Sequence, residues 1–258
     1  MQSEDIFTIK PPDADIRVPY GHDENQFADV RVPEGKGPFP AVFFIHGGYW
    51  RAKYDLTYAG HLCQALKQIG IATWNVEYRR VGNRGGGWPG TFEDIRSAYS
   101  TMRAFKKSRL APLDLKRICV AGHSAGGQLA LALAAFEPTV THALSLAGVV
   151  DLHRGWELHL SNDAVSEFLG GSPAEVPDHY REASPAQKHI TAMQKLVHGT
   201  RDDSVPYEIS KNYAEQKKAA GEKLELITLP DTGHFETMDP KSNVWSKVQD
   251  AIVALTRR

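Results

Sequence analysis

The sequence predicts an α/β fold: a mostly parallel central sheet with an antiparallel N-terminal edge, helices on both faces and a small cap insertion. Three observations carry that expectation. From residue 40 onward, apolar runs of strand length alternate with helix-favouring segments, the rhythm of βα units in a parallel sheet. The run Ala41-Val42-Phe43-Phe44-Ile45 is apolar at every position, as a strand covered on both faces must be. Between Arg117 and Ala135, a short apolar run ends in the turn Gly122-His123-Ser124-Ala125-Gly126, and an Ala/Leu-rich helical run follows at once.

The chain has 258 residues, a length suited to one domain spanning 1–258 rather than two. A hydrophobic content of 41% and a charged content of 24% fit a globular protein and argue against a disordered one. The formal net charge of -1, with no basic block, gives no reason to expect nucleic acid or an anionic membrane as partner. The N-terminus has neither the positive region nor the apolar region of a signal peptide. No run approaches a membrane span, so a cytoplasmic location is expected. Cys63 and Cys119 have neither disulfide nor metal-ligand spacing and read as small core residues of a reduced protein. No His/Asp/Glu cluster has metal spacing, so no metal and no other cofactor is expected.

Taken in order, residues 1–36 hold short β-like runs broken by Pro11-Pro12, Pro19-Tyr20-Gly21 and Pro33. Residues 27–32 alternate at period two and fit an antiparallel edge strand. After the strand at 41–45, residues 56–69 read as a helix closed by Gly70, and 71–78 as a strand. A Gly/Arg/Trp loop covers 82–89. Thr91 and Asp94 then have capping-box spacing for a helix running to about Lys107. Residues 143–149 form the strand after the Ser124 helix. The stretch 151–190 breaks the rhythm with Trp156, Gly170-Gly171, Pro173, Pro177 and Pro185, and reads as a cap or lid that shapes a pocket. A strand at 194–197, a helix at 207–220, a strand at 224–229 and a helix at 244–255 complete the chain. An exposed edge strand could pair two copies in a homodimer.

The turn around Ser124 carries the chemistry. Glycine on both sides lets strand and helix pass closer than a side chain would allow. That geometry exposes a strained serine at the sheet edge, with the Ala125 amide beside it at a helix N-terminus. A serine hydroxyl needs a base, and the base needs an orienting acid. The order serine, acid, histidine after late strands is met by His198-Gly199-Thr200-Arg201-Asp202-Asp203 and by Asp231-Thr232-Gly233-His234. His234 is the candidate base. Asp202 is the preferred acid because its spacing places it just past the strand end, and Asp203 is its alternative. His46-Gly47-Gly48-Tyr49 follows the early buried strand, where backbone donors for an oxyanion belong. The amides of Gly48, Tyr49 and Ala125 are the candidates, with Gly47 supplying the bend. Trp50, Trp88 and Trp156 stand on loops near the same edge and could line a substrate pocket with Tyr49. His46, His123 and His198 read as structural, and Asp55, Glu77 and Arg79 as structural ion pairs.

With those residues in view, the chain resembles the α/β-hydrolase superfamily from about residue 25 onward. His46-Gly47-Gly48-Tyr49-Trp50 looks like the kynurenine formamidase (arylformamidase) branch. Gly122-His123-Ser124-Ala125-Gly126-Gly127 and His198-Gly199-Thr200-Arg201-Asp202-Asp203 look like bacterial esterases and the catalytic domain of prolyl oligopeptidases. The resemblance implies Ser124 as nucleophile, Asp202 as acid and His234 as base, with Gly48, Tyr49 and Ala125 as oxyanion donors. The expected activity is hydrolysis of small carboxylic esters or aryl formamides through an acyl-enzyme. A small peptidase and a non-catalytic ligand binder are the alternatives. A peptidase would need a site for a substrate N-terminus, and Glu157, Glu167 and Glu175 have no spacing that suggests one.

Overall fold

The computed structural model describes residues 5–105 and 112–257. Eight strands form one sheet in the order β1-β2-β4-β3-β5-β6-β7-β8. They are β1 (Ile16–Pro19), β2 (Phe27–Arg31), β3 (Phe39–Ile45), β4 (Ala72–Val76), β5 (Leu113–His123), β6 (His142–Leu146), β7 (Met193–Gly199) and β8 (Leu224–Leu229). β2 pairs antiparallel with both β1 and β4; every pairing from β4 across to β8 is parallel. The segment at 27–32 is therefore not the edge of the sheet. β1 is the edge on that side, and its four residues, the last of them Pro19, are too few to display an alternating pattern.

The helices are α1 (Asp5–Thr8), α2 (Gly60–Gln68), α3 (Gly90–Ala104), α4 (Ala125–Phe136), α5 (Leu152–Glu157), α6 (Ala164–Leu169), α7 (Pro177–Ala183), α8 (Tyr207–Ala219) and α9 (Trp245–Thr256). β3 explains why they lie on both faces. Val42 and Phe44 pack with α2 and α9, whereas Phe43 and Ile45 pack with α3 and α4, all four fully buried. Period-two alternation sends successive side chains to opposite faces, and burial of each large side chain contributes about 1.5–3 kcal/mol. Cys63 and Cys119 are free and buried in the α2/α9 layer; burial pushes both thiols up, Cys63 to about 11. Among the described residues, no helix is long and apolar enough to cross a membrane.

Two local expectations are corrected. α3 carries no capping box: Pro89 is its N-cap and contributes no side-chain bond. Thr91 Oγ1 instead donates to the Arg79 carbonyl (2.5 Å) and accepts from the Gly87 amide (3.1 Å). Asp94 grips the Arg79 guanidinium at 2.6 and 2.9 Å. Both polar side chains thus fasten the helix to the loop after β4. The end expected for this helix, Lys106 and Lys107, lies outside the described residues. Among the described residues Asp55 makes no ion pair, and it caps the 3₁₀ turn Leu56–Ala59 by accepting from the Thr57 amide (2.8 Å). Glu77 does pair, with His46 and with Arg80 at 3.0 Å.

Candidate active site

The turn between β5 and α4 holds Ser124 at φ 56°, ψ -122°. A non-glycine residue there carries about 1–3 kcal/mol of strain, and the flanking glycines explain what enforces it. A Cβ on Gly122 would lie 2.0 Å from the Gly126 carbonyl oxygen, and one on Gly126 would lie 2.1 Å from the Ile45 carbonyl oxygen. Strand β3, the turn and the start of α4 therefore touch backbone to backbone. Larger residues would push them apart and relax the serine.

The segment after β3 is strained as well. Gly48, Tyr49 and Trp50 follow one another at φ 113°, 51° and 57°, a left-handed run that side chains disfavour. Tertiary contacts hold it. Trp50 is fully buried, donates from Nε1 to Gln128 Oε1 (3.0 Å) and stacks on Phe168 with centroids 4.5 Å apart. The Tyr49 hydroxyl donates to the Ser204 carbonyl at 2.5 Å. The Gly47 amide is engaged by the Tyr58 hydroxyl oxygen at 2.7 Å. Among the described residues, the amides of Gly48, Tyr49 and Ala125 make no hydrogen bond. These are the same three amides that the sequence offers as candidate oxyanion donors.

Asp202 lies on the loop after β7 and His234 on the loop after β8, their side chains 0% and 3% exposed. His234 Nδ1 and Asp202 Oδ2 are 2.7 Å apart. An ionised carboxylate only accepts, so Nδ1 carries the proton and Nε2 is left able to take one. Asp202 Oδ2 also accepts from His198 Nε2 (3.1 Å), while Oδ1 accepts from the amides of Ser204 (2.9 Å) and Val205 (2.7 Å). Burial alone would raise this carboxyl, but the bonds and charge from His198 and His234 outweigh it and hold it well below the usual carboxylate range. Asp203 is exposed and only accepts from the Ser204 hydroxyl (3.3 Å). The geometry thus brings Asp202, not Asp203, to His234.

A second buried chain runs behind the serine. Tyr58 Oη accepts from the Gly47 amide, so its proton points to His123 Nδ1, 2.9 Å away. His123 Nδ1 is then the acceptor, and Nε2–H donates to the His234 carbonyl at 3.1 Å. Burial first, and then the neighbouring His234, push His123 well below the usual histidine range, which keeps the neutral tautomer this chain requires. His123 therefore links Gly47 to the loop of the candidate base, a role its place in the turn around Ser124 did not advertise.

Ser124 and His234 open together into a cavity of about 180 Å³, bounded also by Gly48, Tyr49 and the rings of Phe7, Tyr54, Tyr58 and Phe235. The tryptophans read as pocket residues are elsewhere. Trp50 is core, Trp88 stacks on Phe92 at 5.2 Å, and Trp156 packs partly buried against the main hydrophobic cluster. Gly47 stands behind the wall, where a Cβ would come within 2.8 Å of Ser124 Cβ. No residue of the 151–190 insertion lines this cavity. Its three helices bury Leu152, Val165, Phe168, Leu169, Tyr180 and Ala183 in the main hydrophobic cluster instead. Of the aromatics that do form the pocket, Phe235 adjoins His234 and could have been proposed from sequence. Phe7 could not, because nothing local ties residue 7 to Ser124.

Comparisons with known proteins agree with this architecture. The BD-FAE family model matches residues 28–216. A probable isoprenylcysteine alpha-carbonyl methylesterase of Arabidopsis thaliana is 25% identical over 85% of this chain, and the chain covers 50% of that relative. This chain thus spans about half the length of a curated relative it matches. Among solved structures, a truncated carbohydrate esterase from gut microbiota superposes with a TM-score of 0.82 at 21% identity, covering 97% of this chain and 100% of that one. A bacterial heroin esterase gives 0.76 at 22% identity, covering 94% and 84%. The sheet order, the strained serine between β5 and α4 and the family match lead to one assignment: the chain belongs to the BD-FAE family, an esterase-type group of the α/β-hydrolase fold.

Proposed function

We propose that this protein is a serine hydrolase of small carboxylic esters, acting through an acyl-enzyme on Ser124, with aryl formamides as a second substrate class open to the same chemistry. Ser124 Oγ attacks the carbonyl carbon while His234 Nε2 takes its proton. The oxyanion faces the amides of Gly48, Tyr49 and Ala125. Collapse of the tetrahedral adduct breaks the bond to the leaving group, which departs with the proton from His234. Water then repeats the sequence, and the acid is released. Asp202 keeps its charge throughout and holds His234 in the productive tautomer.

The observation that carries this reading is the 2.7 Å bond from His234 to a fully buried Asp202, with His234 sharing one cavity with a strained Ser124. The similar proteins above, a methylesterase and a heroin esterase, favour the ester over the formamide. The size of the cavity favours a short acyl group or a single ring, since about 150 Å³ of apolar space holds a benzene molecule. The test is burst kinetics with p-nitrophenyl acetate and N-formylkynurenine in parallel, with Ser124→Ala as control. A burst on the ester that Ser124→Ala abolishes supports the proposal. Preferred turnover of the formamide moves the protein to the arylformamidase class. Wild type no faster than Ser124→Ala on either substrate refutes the hydrolase reading.

A further inference from the structure

We propose that Phe7 sets the size of the group admitted beside Ser124, by standing as the partition between the Ser124 pocket and a second, adjoining cavity. This deepens the hydrolase reading and rests on it for the chemistry. The second cavity measures about 250 Å³ and is bounded by Ile6, Phe7, Lys53, Tyr54, Asp55, Thr57 and Tyr58. Phe7, Tyr54 and Tyr58 are common to both cavities, so these three rings are the dividing wall. Tyr58 is fixed by its hydrogen bonds to Gly47 and His123, and the Tyr54 side chain packs within 2.4–2.9 Å of where a Gly48 Cβ would lie. Phe7 has neither kind of restraint. It is 46% exposed, and among the described residues its ring contacts are Tyr58 at 5.2 Å and Phe235 edge-on at 4.9 Å between centroids.

The ring is nonetheless delivered to a defined place. Its neighbour Ile6 is 2% exposed and belongs to the hydrophobic cluster of α2 and α9, so α1 is anchored through Ile6 while Phe7 projects over the pocket. Truncating Phe7 leaves that anchor intact. It joins a pocket of aromatic walls to a space edged by Lys53, Asp55 and Thr57. With Phe7 present, the site takes a group of about one ring in size; with alanine there, a longer chain can pass beyond Tyr58. Tryptophan at the same position thickens the wall.

The experiment compares wild type, Phe7→Ala and Phe7→Trp, each checked for folding by its melting temperature. One ester series runs from p-nitrophenyl acetate to octanoate, and a second varies the alcohol in alkyl acetates. The ratio of kcat/KM for the longest to the shortest member should rise about tenfold or more in Phe7→Ala, since even one methylene in a pocket is commonly worth that much. It should fall below wild type in Phe7→Trp. Unchanged ratios in both series, with both variants folded, overturn the proposal. Binding of straight-chain carboxylates from acetate to octanoate is measured by calorimetry in the Ser124→Ala background, with and without Phe7→Ala. A longer cut-off in the double variant supports the partition even if no ester is hydrolysed, an outcome that refutes only the hydrolase reading. An unchanged cut-off refutes the partition itself.

Discussion

Replacing Tyr58 by phenylalanine removes one oxygen atom and leaves the ring that Phe7 and Phe235 pack against. Two buried partners lose their bonds: the Gly47 amide at 2.7 Å and His123 Nδ1 at 2.9 Å. Neither can recruit solvent, because Gly47 and His123 are both buried. Each orphaned group costs about 1–3 kcal/mol of stability, so a lower melting temperature is expected. The informative effect is on catalysis. Gly47 precedes two of the three amides proposed for the oxyanion, and His123 holds the carbonyl of His234, so the variant is expected to loosen both sides of the site together. Complete loss of an oxyanion donor costs about 10²–10³ in kcat, and a misplacement of about 1 Å can cost about a hundredfold. We expect kcat on p-nitrophenyl acetate to fall about ten- to a hundredfold, with KM changed less than about threefold. Steady-state kinetics well below the variant's melting temperature read this directly. A destabilised variant with wild-type kcat would refute the reasoning and reduce the Tyr58–His123 chain to a packing device.

Other outcomes follow from the same geometry. Asp202→Asn should lower kcat by about 10⁴, the scale on which a wrongly held tautomer acts, while Asp203→Asn, on an exposed carboxylate, should stay within about twofold. Equal losses in the two variants would move the acid assignment. His123→Gln should flatten the pH dependence of stability on the acid side. Above about pH 6.5 an unfolded His123 and the folded one are both neutral. Below it the unfolded chain binds a proton that the folded chain refuses, so stability falls by up to about 1.4 kcal/mol per pH unit. Urea unfolding at pH 7.5 and 5.5 should show a loss in wild type about 1 kcal/mol greater than in the glutamine variant, and an equal loss would show that His123 is protonated in the fold. Gly126→Ala should abolish soluble expression or activity, because its Cβ would meet the Ile45 carbonyl at 2.1 Å; an active, stable alanine variant would show that the turn can open.

What the sequence disclosed, and what it withheld, divides along physical lines. The parallel sheet was legible because β3 is an apolar run and β5 carries one at 118–121, so their burial follows from composition, and the turn around Ser124 was legible because backbone contact at Gly122 and Gly126 leaves only one residue type. Local spacing likewise put Asp202 and His234 at strand ends. Three kinds of feature were hidden. The strand at 16–19 is too short to carry a pattern, so the sheet edge was misplaced onto 27–32. Thr91 and Asp94 have helix-cap spacing but are claimed by Arg79, a tertiary partner that local spacing does not register. The pocket is the largest omission. Tryptophans near the sheet edge drew attention as pocket walls, yet a ring as large as Trp50 finds more apolar surface inside the core. The cavity is walled instead by residues 7, 54, 58 and 235, brought together from three separate parts of the chain.

Gln128 gives the 151–190 insertion a meaning beyond its place in the sequence. Its amide oxygen receives the Trp50 indole proton while its amide nitrogen donates to the Ala183 carbonyl at 2.8 Å, and Phe168 lies flat against the same indole. The insertion therefore grips the segment after β3 from outside, as a splint grips a bent joint, without lining the cavity. For redesign, a shorter or longer connection must return a carbonyl to the position of residue 183, a flat apolar ring to that of residue 168, and the acceptors that Arg51 meets at Ser161, Asn162 and Glu167. Grafts that drop these contacts should let the left-handed run at residues 48–50 unwind.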